Sequence, residues 1–377
     1  MDFDSLKKDI IEYSQQIGID KIGFTTANSF STMKNRLIRQ EMLGFQSGFE
    51  ESDIEKRTEP SLIFNEPKSI IAIALAYPSR MKDAPQSKRG ERRGIFCRAS
   101  WGTDYHVVLR DRLAKLEEYI QSRIPNARCE SMVDTGELVD RAVAERAGIG
   151  WSGKNCSVIT PEFGSYVYLG EMITNLPFEP DEPMEDQCGT CNKCVDVCPT
   201  GALVQGGQLD AQRCIAFLTQ TKGFLADEYR IKIGNRIYGC DTCQTVCPEN
   251  KGKDFHFHEE MEPNPEIAKP LLKPLLSISN REFKEKYGYI SGSWRGKKPI
   301  QRNAIIALAH YKDDTAVGDL IKVMNEDVRP VIRGTAAWAL GKIGGRQAKE
   351  ALIQLKQREK DEDVLKEVEK GLELILQ

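Results

Sequence analysis

The sequence predicts an α+β protein of several domains: an N-terminal α/β domain, a small ferredoxin-like domain and a C-terminal set of helical repeats. Three observations lead to this prediction. The chain has 377 residues, more than one hydrophobic core normally serves. Eight of its eleven cysteines lie between Cys188 and Cys247. Residues 302–377 echo a helix-pair pattern with small residues on one face. We place the domain boundaries at 1–178, 179–260, 261–301 and 302–377.

The N-terminal segment mixes helical and strand patterns, which indicates helices packed on a central sheet. Residues 5–17 and 104–123 carry apolar residues at helical intervals, and Asp104 is the expected N-cap of the second helix. The continuous apolar run SIIAIALAYP at 69–78 is typical of a buried strand. The remaining predicted elements are strands at 20–27 and 127–134, a helix at 138–151 and a hairpin at 155–174 that turns at PEFGS.

Composition and charge argue against secreted and membrane proteins. No apolar run approaches the roughly 20 residues that a membrane helix needs, and the N-terminus lacks the apolar core of a signal peptide. Clustered cysteines without an export signal indicate metal ligation in a reducing compartment. The formal net charge is −3, so any contact with nucleic acid must come from a local patch. We therefore expect a cytoplasmic protein that does not bind membranes.

The cysteine spacing is the most specific motif in the chain. Residues 188–199 read CGTCNKCVDVCP, which is the C-x2-C-x2-C-x3-C-P run of bacterial ferredoxins. The gaps of two residues let a tight loop place three thiolates on one [4Fe–4S] cube, and the fourth cysteine points to the neighbouring cluster. Zinc ribbons also use C-x2-C pairs, but they have no need of a third cysteine and a C-x3-C-P tail.

A second, degenerate half completes the motif. Cys214 stands alone, and CDTCQTVCP follows from Cys240 to Pro248. Crossed ligation predicts two sets of four thiolates for two [4Fe–4S] clusters. The first set is Cys188, Cys191, Cys194 and Cys247, and the second is Cys198, Cys214, Cys240 and Cys243. Two adjacent clusters make an electron-transfer path, which needs an acceptor at its end.

The segment after the clusters is basic, and the chain ends in the helical repeats. Residues 271–302 hold eight Lys or Arg against Glu282 and Glu285, with Trp294 and two tyrosines among them. RNAIIALAHY at 302–311 is echoed by RGTAAWALGKIGG at 333–345. A repeat of this length is typical of a short HEAT-like solenoid.

Several of these motifs together resemble one known family along essentially the whole chain. RRGIFCRASWGTDYH, MVDTGELVDRAVAERAGIGWSGKN, SYVYLGEMIT, the double ferredoxin run and the HEAT-like tail are similar to epoxyqueuosine reductases. That family looks related to the corrinoid reductive dehalogenases in its N-terminal and iron–sulfur parts. The resemblance implies a nitroreductase-like, corrinoid-binding N-terminal domain. It also implies reduction of epoxyqueuosine to queuosine at the wobble position of tRNA, with cobalamin bound base-off.

The resemblance also implies site residues. It makes Asp134 in VDTGEL the candidate catalytic acid, kept protonated beside an apolar corrin face. Without the family, Asp134 is better explained as a turn residue that caps the next helix, and Cys97 is as well explained as a small buried hydrophobe. The candidate cobalamin contacts are Arg57, Cys97, Asp134, Ser157, Val158, Leu169, Ala216 and Asp241.

A tRNA substrate gives the basic segment a role, because Lys and Arg bind phosphates and aromatic residues stack on splayed bases. A solvated linker is the other explanation of such a charge run. The candidate substrate contacts are Tyr105, His106, Gln220, Lys222, Arg281, Lys284, Arg295, Lys297, Lys298 and Arg302. The expected partners are the anticodon stem-loop of tRNA and an external low-potential electron donor, and we expect a monomer.

Two other functions fit parts of the sequence. A reductive dehalogenase would share the corrinoid and cluster domains, but it should carry a twin-arginine export signal and no tRNA-facing tail. A plain electron carrier with two [4Fe–4S] clusters would use the N-terminal domain only to dock a partner. The visible spectrum of corrinoid-fed protein would separate the enzyme from the carrier.

Overall fold

The computed structural model describes residues 2–376, which form ten β-strands and sixteen α-helices. The strands are β1 (Lys21–Thr26), β2 (Ser69–Ala76), β3 (Ile95–Phe96), β4 (Cys129–Met132), β5 (Trp151–Ser152), β6 (Val158–Ile159), β7 (Val167–Thr174), β8 (Leu203–Gln205), β9 (Gln208–Leu209) and β10 (Arg236–Tyr238). The helices are α1 (Phe3–Gln16), α2 (Ser31–Met42), α3 (Tyr105–Arg123), α4 (Asp140–Arg146), α5 (Lys193–Asp196), α6 (Ile215–Leu218), α7 (Asp227–Ile233), α8 (Thr242–Thr245), α9 (Pro265–Ala268), α10 (Leu272–Ser277), α11 (Asn280–Tyr287), α12 (Lys297–His310), α13 (Val317–Glu326), α14 (Pro330–Ile343), α15 (Arg346–Lys356) and α16 (Glu362–Leu376). None of the helices within residues 2–376 is long and apolar enough to cross a membrane.

These elements form two compact units. The first contains the described residues up to Arg80, Gly102–Cys214 and Asp241–Glu262. The second contains Met81–Trp101, Ile215–Cys240 and the described residues from Pro263 onward. The units do not follow the four sequence segments, because the chain leaves the first unit after Arg80 to form β3, which pairs with β10 inside the second. The four domains predicted from the sequence, at 1–178, 179–260, 261–301 and 302–377, remain a prediction.

The first unit is built on a four-stranded antiparallel sheet in the order β1-β2-β7-β4. All eight residues of β2 are buried, as its uninterrupted Ile and Ala run predicts. Leu113 of α3 approaches Gly170 on one face of β7, while Val143 of α4 shares a core with Ala72 and Ile173 on the other face. The predicted arrangement of helices on a central sheet is therefore confirmed.

The predicted elements of this unit are mostly in place. Helix α3 begins at Tyr105, and the Asp104 side chain accepts a hydrogen bond from the backbone N–H of His106, as the capping prediction requires. The hairpin predicted at 155–174 is wrong. Strand β6 pairs with β5, and β7 lies between β2 and β4, so only a bridge between Thr160 and Gly164 remains of the expected pairing. The apolar faces of β7 are buried better inside the large sheet than in an isolated hairpin.

The second unit is mainly helical and holds a continuous core that runs from Phe96 to Val368. Its C-terminal part is the predicted HEAT-like set of helices, α12 to α16. Small residues on α14 and α16 let the two helices approach closely. A Cβ added to Gly341 would lie 2.3 Å from the Cα of Gly371. The small-residue pattern of the sequence is therefore a packing requirement between neighbouring helices.

Candidate active site

Asp134 lies in the short loop between β4 and α4, at the edge of the first unit's sheet. The preceding Met132 and Val133 are buried, while the Asp134 side chain is 60% exposed. Asp134 has a φ of 53°, in the left-handed region that L-residues other than Asn, Asp and Gly rarely adopt. The loop thus turns sharply and presents a carboxylate at the surface while its neighbours remain in the core.

Two side chains from the start of α3 meet this carboxylate. The Tyr105 hydroxyl donates a hydrogen bond to Asp134 Oδ2 at 2.8 Å. His106 Nε2 lies 3.4 Å from the same oxygen, and His106 Nδ1 is 2.7 Å from Asp104 Oδ1. The Tyr105 ring stacks between His106 and Tyr168, with ring centroids 4.2 and 4.7 Å apart. Tyr105, His106 and Asp134, which the family resemblance singled out, therefore form one group.

The charges in this group are coupled. Burial lowers the pKa of His106, but the hydrogen bond to Asp104 and the close contact with the Asp134 carboxylate outweigh it and raise that pKa to about 9. The contact with His106 lowers the pKa of Asp134 and exceeds the opposing effect of burial, and the Tyr105 hydrogen bond lowers it further. The protein's own groups therefore favour the ionised form of Asp134 and the protonated form of His106. The protonated Asp134 that the family resemblance implies would depend on the apolar corrin face, and it stays a prediction.

Two further carboxylic acids lie behind Asp134, and sequence reasoning missed both. The backbone N–H of Asp134 donates to Asp140 Oδ2 at 3.0 Å. Glu171, in the middle of β7, is 1% exposed, and its carboxyl lies close enough to Asp140 to interact with it. Burial and the neighbouring carboxylates raise the pKa of Glu171 well above its usual value and that of Asp140 to about 6. A glutamate inside the apolar strand VYLGEMIT was the signal that could have identified the pair.

Arg57 is half-buried in the same unit. Its guanidinium makes no hydrogen bond or ion pair with any described residue. Burial lowers its pKa, and the nearby Arg141 lowers it further, whereas Glu50 and Asp140 act in the opposite direction. An unpaired, partly desolvated cation beside a second arginine fits a ligand that carries phosphate or amide oxygens.

Three of the four thiols predicted for the first cluster lie near one another. Burial is the main cause that raises the pKa of Cys194 and Cys247, and charge contacts with Cys188 add to it in both thiols. Cys247 is more than fifty positions from Cys188 in the chain, so folding brings the last cysteine of the motif back to the first loop. The fourth predicted ligand, Cys191, is half-buried in that loop.

The thiols of the second predicted set have a different environment. Burial raises the pKa of Cys198, but backbone N–H groups of Leu203, Thr200 and Ala202 and the Thr200 hydroxyl stabilise its thiolate and leave the pKa below its ordinary value. All four thiols of this set are half-buried. Cys198, Cys214 and Cys243 belong to the first unit and Cys240 to the second.

The other predicted cobalamin contacts are divided between the two units. Ser157 accepts a hydrogen bond from Gly153 through its carbonyl, Val158 is buried on β6, and Leu169 is half-buried on β7. Asp241 precedes α8 in the first unit. In the second unit, the Cys97 thiol lies 3.7 Å from the Ser100 hydroxyl, and the Ala216 carbonyl accepts from Gln220 Nε2 at 2.8 Å.

Two of the predicted tRNA contacts in the second unit, Gln220 and Arg295, form one group with Trp294. Gln220 Oε1 accepts a hydrogen bond from Trp294 Nε1 at 2.7 Å, and the Gln220 carbonyl accepts one from Arg295 Nε at 3.3 Å. The Arg295 guanidinium stacks 4.9 Å from the Trp294 ring, which is 53% exposed. Four more of the predicted contacts are exposed: Lys222, Arg281, Lys284 and Lys298.

The structure corrects the assignment of Arg302. Its side chain is 1% exposed and donates to the backbone carbonyls of Leu218, Thr221 and Gly223. It stabilises the polypeptide between Leu218 and Gly223 and is not accessible to phosphate, so this prediction is wrong. Lys297 is half-buried and its Nζ donates to the carbonyl of Ile278 at 2.7 Å, so it too has a structural role.

Comparison with known families and relatives shows which proteins this chain is similar to. Profiles described as Epoxyqueuosine reductase QueG, DUF1730, as 4Fe-4S double cluster binding domain and as HEAT repeats match residues 57–135, 187–250 and 296–373. The epoxyqueuosine reductase of Bacillus anthracis is 72% identical over 377 residues, covering 100% of this chain and 99% of the relative. That of Bacillus subtilis is 70% identical over 98% of this chain and 96% of the relative.

Solved structures show the same relationship. A crystal structure of epoxyqueuosine reductase with an epoxyqueuosine-modified tRNA-Tyr stem loop matches with a TM-score of 0.98 at 69% identity, covering 100% of both chains. The B. subtilis enzyme, solved with its Asp134 catalytic loop swung out of the active site, matches with a TM-score of 0.97 at 68% identity over 99% of this chain and 100% of that chain. The double-cluster profile confirms the iron–sulfur prediction, and the identity over the full length confirms the family resemblance: the chain belongs to the epoxyqueuosine reductase family.

Proposed function

We propose that this protein reduces epoxyqueuosine in tRNA to queuosine, in the cytoplasm, with electrons from two [4Fe–4S] clusters and a cobalamin bound base-off. One observation carries the proposal: the chain is similar over its whole length to epoxyqueuosine reductases, and a 69% identical relative was crystallised with an epoxyqueuosine-modified stem loop. The group formed by Tyr105, His106 and the exposed Asp134 carboxylate can supply the protons that such a reduction needs.

Reduction of an epoxide to an alkene consumes two electrons and two protons, breaks both C–O bonds and releases water. The clusters and the cobalamin supply the low-potential electrons when they are bound. In this proposal Arg57 contacts the oxygens of the corrinoid, since its guanidinium lacks a protein partner. Asp134, Ser157, Val158, Leu169, Asp241, Cys97 and Ala216 are the further proposed cobalamin contacts.

The protein's own contribution is proton supply. His106 holds a proton up to a pH of about 9, Asp134 lies 3.4 Å from it, and Tyr105 fixes the acceptor oxygen of Asp134. We propose that Asp134 receives a proton from His106 and delivers it to the oxygen released from the epoxide. The loop that carries Asp134 is mobile in this proposal, since the corresponding B. subtilis loop was found outside the active site.

We propose the two crossed ligand sets for the clusters. Cys188, Cys191, Cys194 and Cys247 bind the first, and Cys198, Cys214, Cys240 and Cys243 bind the second. The proximity of Cys188, Cys194 and Cys247 supports the first set. An external low-potential donor reduces the clusters, and the protein acts as a monomer.

The proposed tRNA surface consists of the exposed cations of the second unit with the Gln220–Trp294–Arg295 group. Lys and Arg neutralise phosphates without reading sequence, whereas the exposed Trp294 ring offers a stacking surface for an unpaired base. We therefore propose that Trp294 stacks on a base and that four cations bind phosphates: Lys222, Arg281, Lys284 and Lys298. Tyr105 and His106 are the proposed contacts at the reacting nucleoside.

An anaerobic assay tests the function directly. Reconstituted protein is incubated with epoxyqueuosine-containing tRNA and a chemical reductant, with and without added cobalamin, and the nucleosides are analysed by mass spectrometry. We expect queuosine only when cobalamin is present. Queuosine formation without corrinoid would contradict the cofactor assignment, and its absence under both conditions would contradict the function.

A further inference from the structure

Two carboxylic acids behind Asp134, the buried Glu171 and the half-buried Asp140, have no role in the chemistry described so far. Glu171 lies on the face of β7 that packs against α4, in register with Met132 of β4 and Ala72 of β2. An acidic side chain in such apolar surroundings costs free energy unless it is neutral and hydrogen-bonded. Glu171 Oε1 has no hydrogen-bond partner among the described residues, and Asp140 is the neighbouring polar side chain that interacts with the Glu171 carboxyl.

Asp140 connects this buried acid to the loop. It is the first residue of α4, and its Oδ2 accepts the backbone N–H of Asp134 at 3.0 Å. That hydrogen bond holds the one loop residue with a left-handed backbone, at a φ of 53°. A conformation of this kind costs of order 1–3 kcal/mol and persists only where neighbouring contacts enforce it.

We propose that Asp140 and Glu171 are positioning residues for Asp134. The Glu171 carboxyl donates its hydrogen to Asp140, the Asp140 carboxylate holds the Asp134 backbone N–H, and the resulting turn directs the Asp134 side chain to Tyr105 and His106. The raised pKa of Glu171 is consistent with the donor role. The charged groups that face the pair are Asp134, Arg141 and, from the segment that precedes β2, Arg57.

The pair has a measurable effect at His106, because the elevated pKa of His106 depends on the Asp134 carboxylate. Asp134 withdraws from His106 when the link is cut, and the pKa of His106 then falls. The chain has four histidines, so His106 can be followed by NMR in oxidised, cluster-containing protein labelled on histidine. This measurement needs neither cobalamin nor tRNA.

The test uses substitutions that remove the link from either end. Glu171→Leu, which keeps the volume but cannot donate, and Asp140→Ala should each lower the pKa of His106 by about one pH unit or more, the usual effect of losing an adjacent charge. Glu171→Gln still donates through its amide and should leave that pKa within about 0.3 pH unit of the unmodified protein. Glu130→Leu, at an exposed residue of β4, is the matched control and should change nothing.

An unchanged His106 pKa in both Glu171→Leu and Asp140→Ala would overturn the proposal. Asp140 is only half-buried, so its variant remains decisive if the buried substitution unfolds the protein. A second readout is activity on epoxyqueuosine tRNA, and this readout rests on the proposed function. We expect Glu171→Leu to lower kcat and retain the KM for tRNA, and Glu171→Gln to stay active. If the unmodified protein is inactive on epoxyqueuosine tRNA but the His106 shifts occur, the function fails and the positioning role stands.

Discussion

The Tyr105 hydroxyl and the Asp134 carboxylate are joined by a hydrogen bond of 2.8 Å, although the two residues are 29 positions apart and lie on different elements. Tyr105 opens α3, whereas Asp134 occupies the loop that follows β4. The bond fixes one carboxylate oxygen beside His106 and leaves the rest of the Asp134 side chain accessible. The Asp134 carboxylate is thus held at the surface by Tyr105, which stacks on Tyr168, and by His106, whose backbone N–H is capped by Asp104.

Asp134→Asn should remove most of the turnover and keep both clusters. A positioned acid typically contributes about 10²- to 10⁴-fold to the rate, so we expect a loss in that range in single-turnover assays. The amide lacks the negative charge that favours protonated His106, so the pKa of His106 should also fall from about 9. Asp9→Asn, on an exposed face of α1, is the control. Unimpaired turnover in Asp134→Asn would remove the assignment.

The activity should fall as the pH rises through the pKa of His106. The folded pKa of His106, about 9, lies above its ordinary value of 6.5, so the His106–Asp134 contact stabilises the protein fully below pH 6.5 and loses its effect as the pH rises through 9. Turnover at saturating reductant should fall across the same upper range. A profile that is flat to pH 10 would show that the proton on His106 is not used.

Cys247→Ala should remove the first cluster and leave the second. Two [4Fe–4S] cubes carry eight irons, so anaerobically purified variant should retain about four irons per chain. The matched control is Cys129→Ala, because Cys129 is a half-buried thiol on β4 whose pKa burial raises to about 11. Full iron content in Cys247→Ala, measured with EPR spectra of the reduced protein, would contradict the crossed ligand set.

Reversing exposed charges should weaken tRNA binding and its dependence on salt. Each phosphate contact contributes about 0.7–0.9 to the slope of log K against log salt, so Lys284→Glu with Lys298→Glu should reduce the slope by about two. Lys349→Glu, exposed on α15 of the same unit, is the control. Filter binding across a salt series measures both quantities. If the double variant has the same slope as the control, Lys284 and Lys298 do not contact tRNA phosphates and are only solvated surface residues.

Removing the buried acid should stabilise the protein, and more so at higher pH. The folded pKa of Glu171 is raised, so the unfolded chain ionises first and the unmodified protein loses stability as the pH rises from about 4.5. Each pH unit over which the two states differ by one proton costs about 1.4 kcal/mol. Glu171→Gln does not titrate and should gain apparent Tm relative to the unmodified protein from pH 5 to pH 8. Glu130→Gln should show no such trend.

The sequence by itself determined the iron–sulfur chemistry, the order of the main elements and the family. Ligand spacing around a cube is a local requirement, so CGTCNKCVDVCP and CDTCQTVCP carry it in the order of their residues. Helix α3 with its Asp104 cap and the buried strand β2 follow from periodicity and capping in the same way. The HEAT-like tail follows from repetition.

Only the tertiary structure decided which side chains share an environment. Arg302 belongs to a basic run, yet folding buries it against the carbonyls of Leu218, Thr221 and Gly223. Glu171 is one polar residue in an apolar strand, and Asp140 begins a helix, but the sheet brings them together behind Asp134. Burial and charge contacts between distant residues set a pKa, and these depend on how the strands pair, which local sequence does not specify.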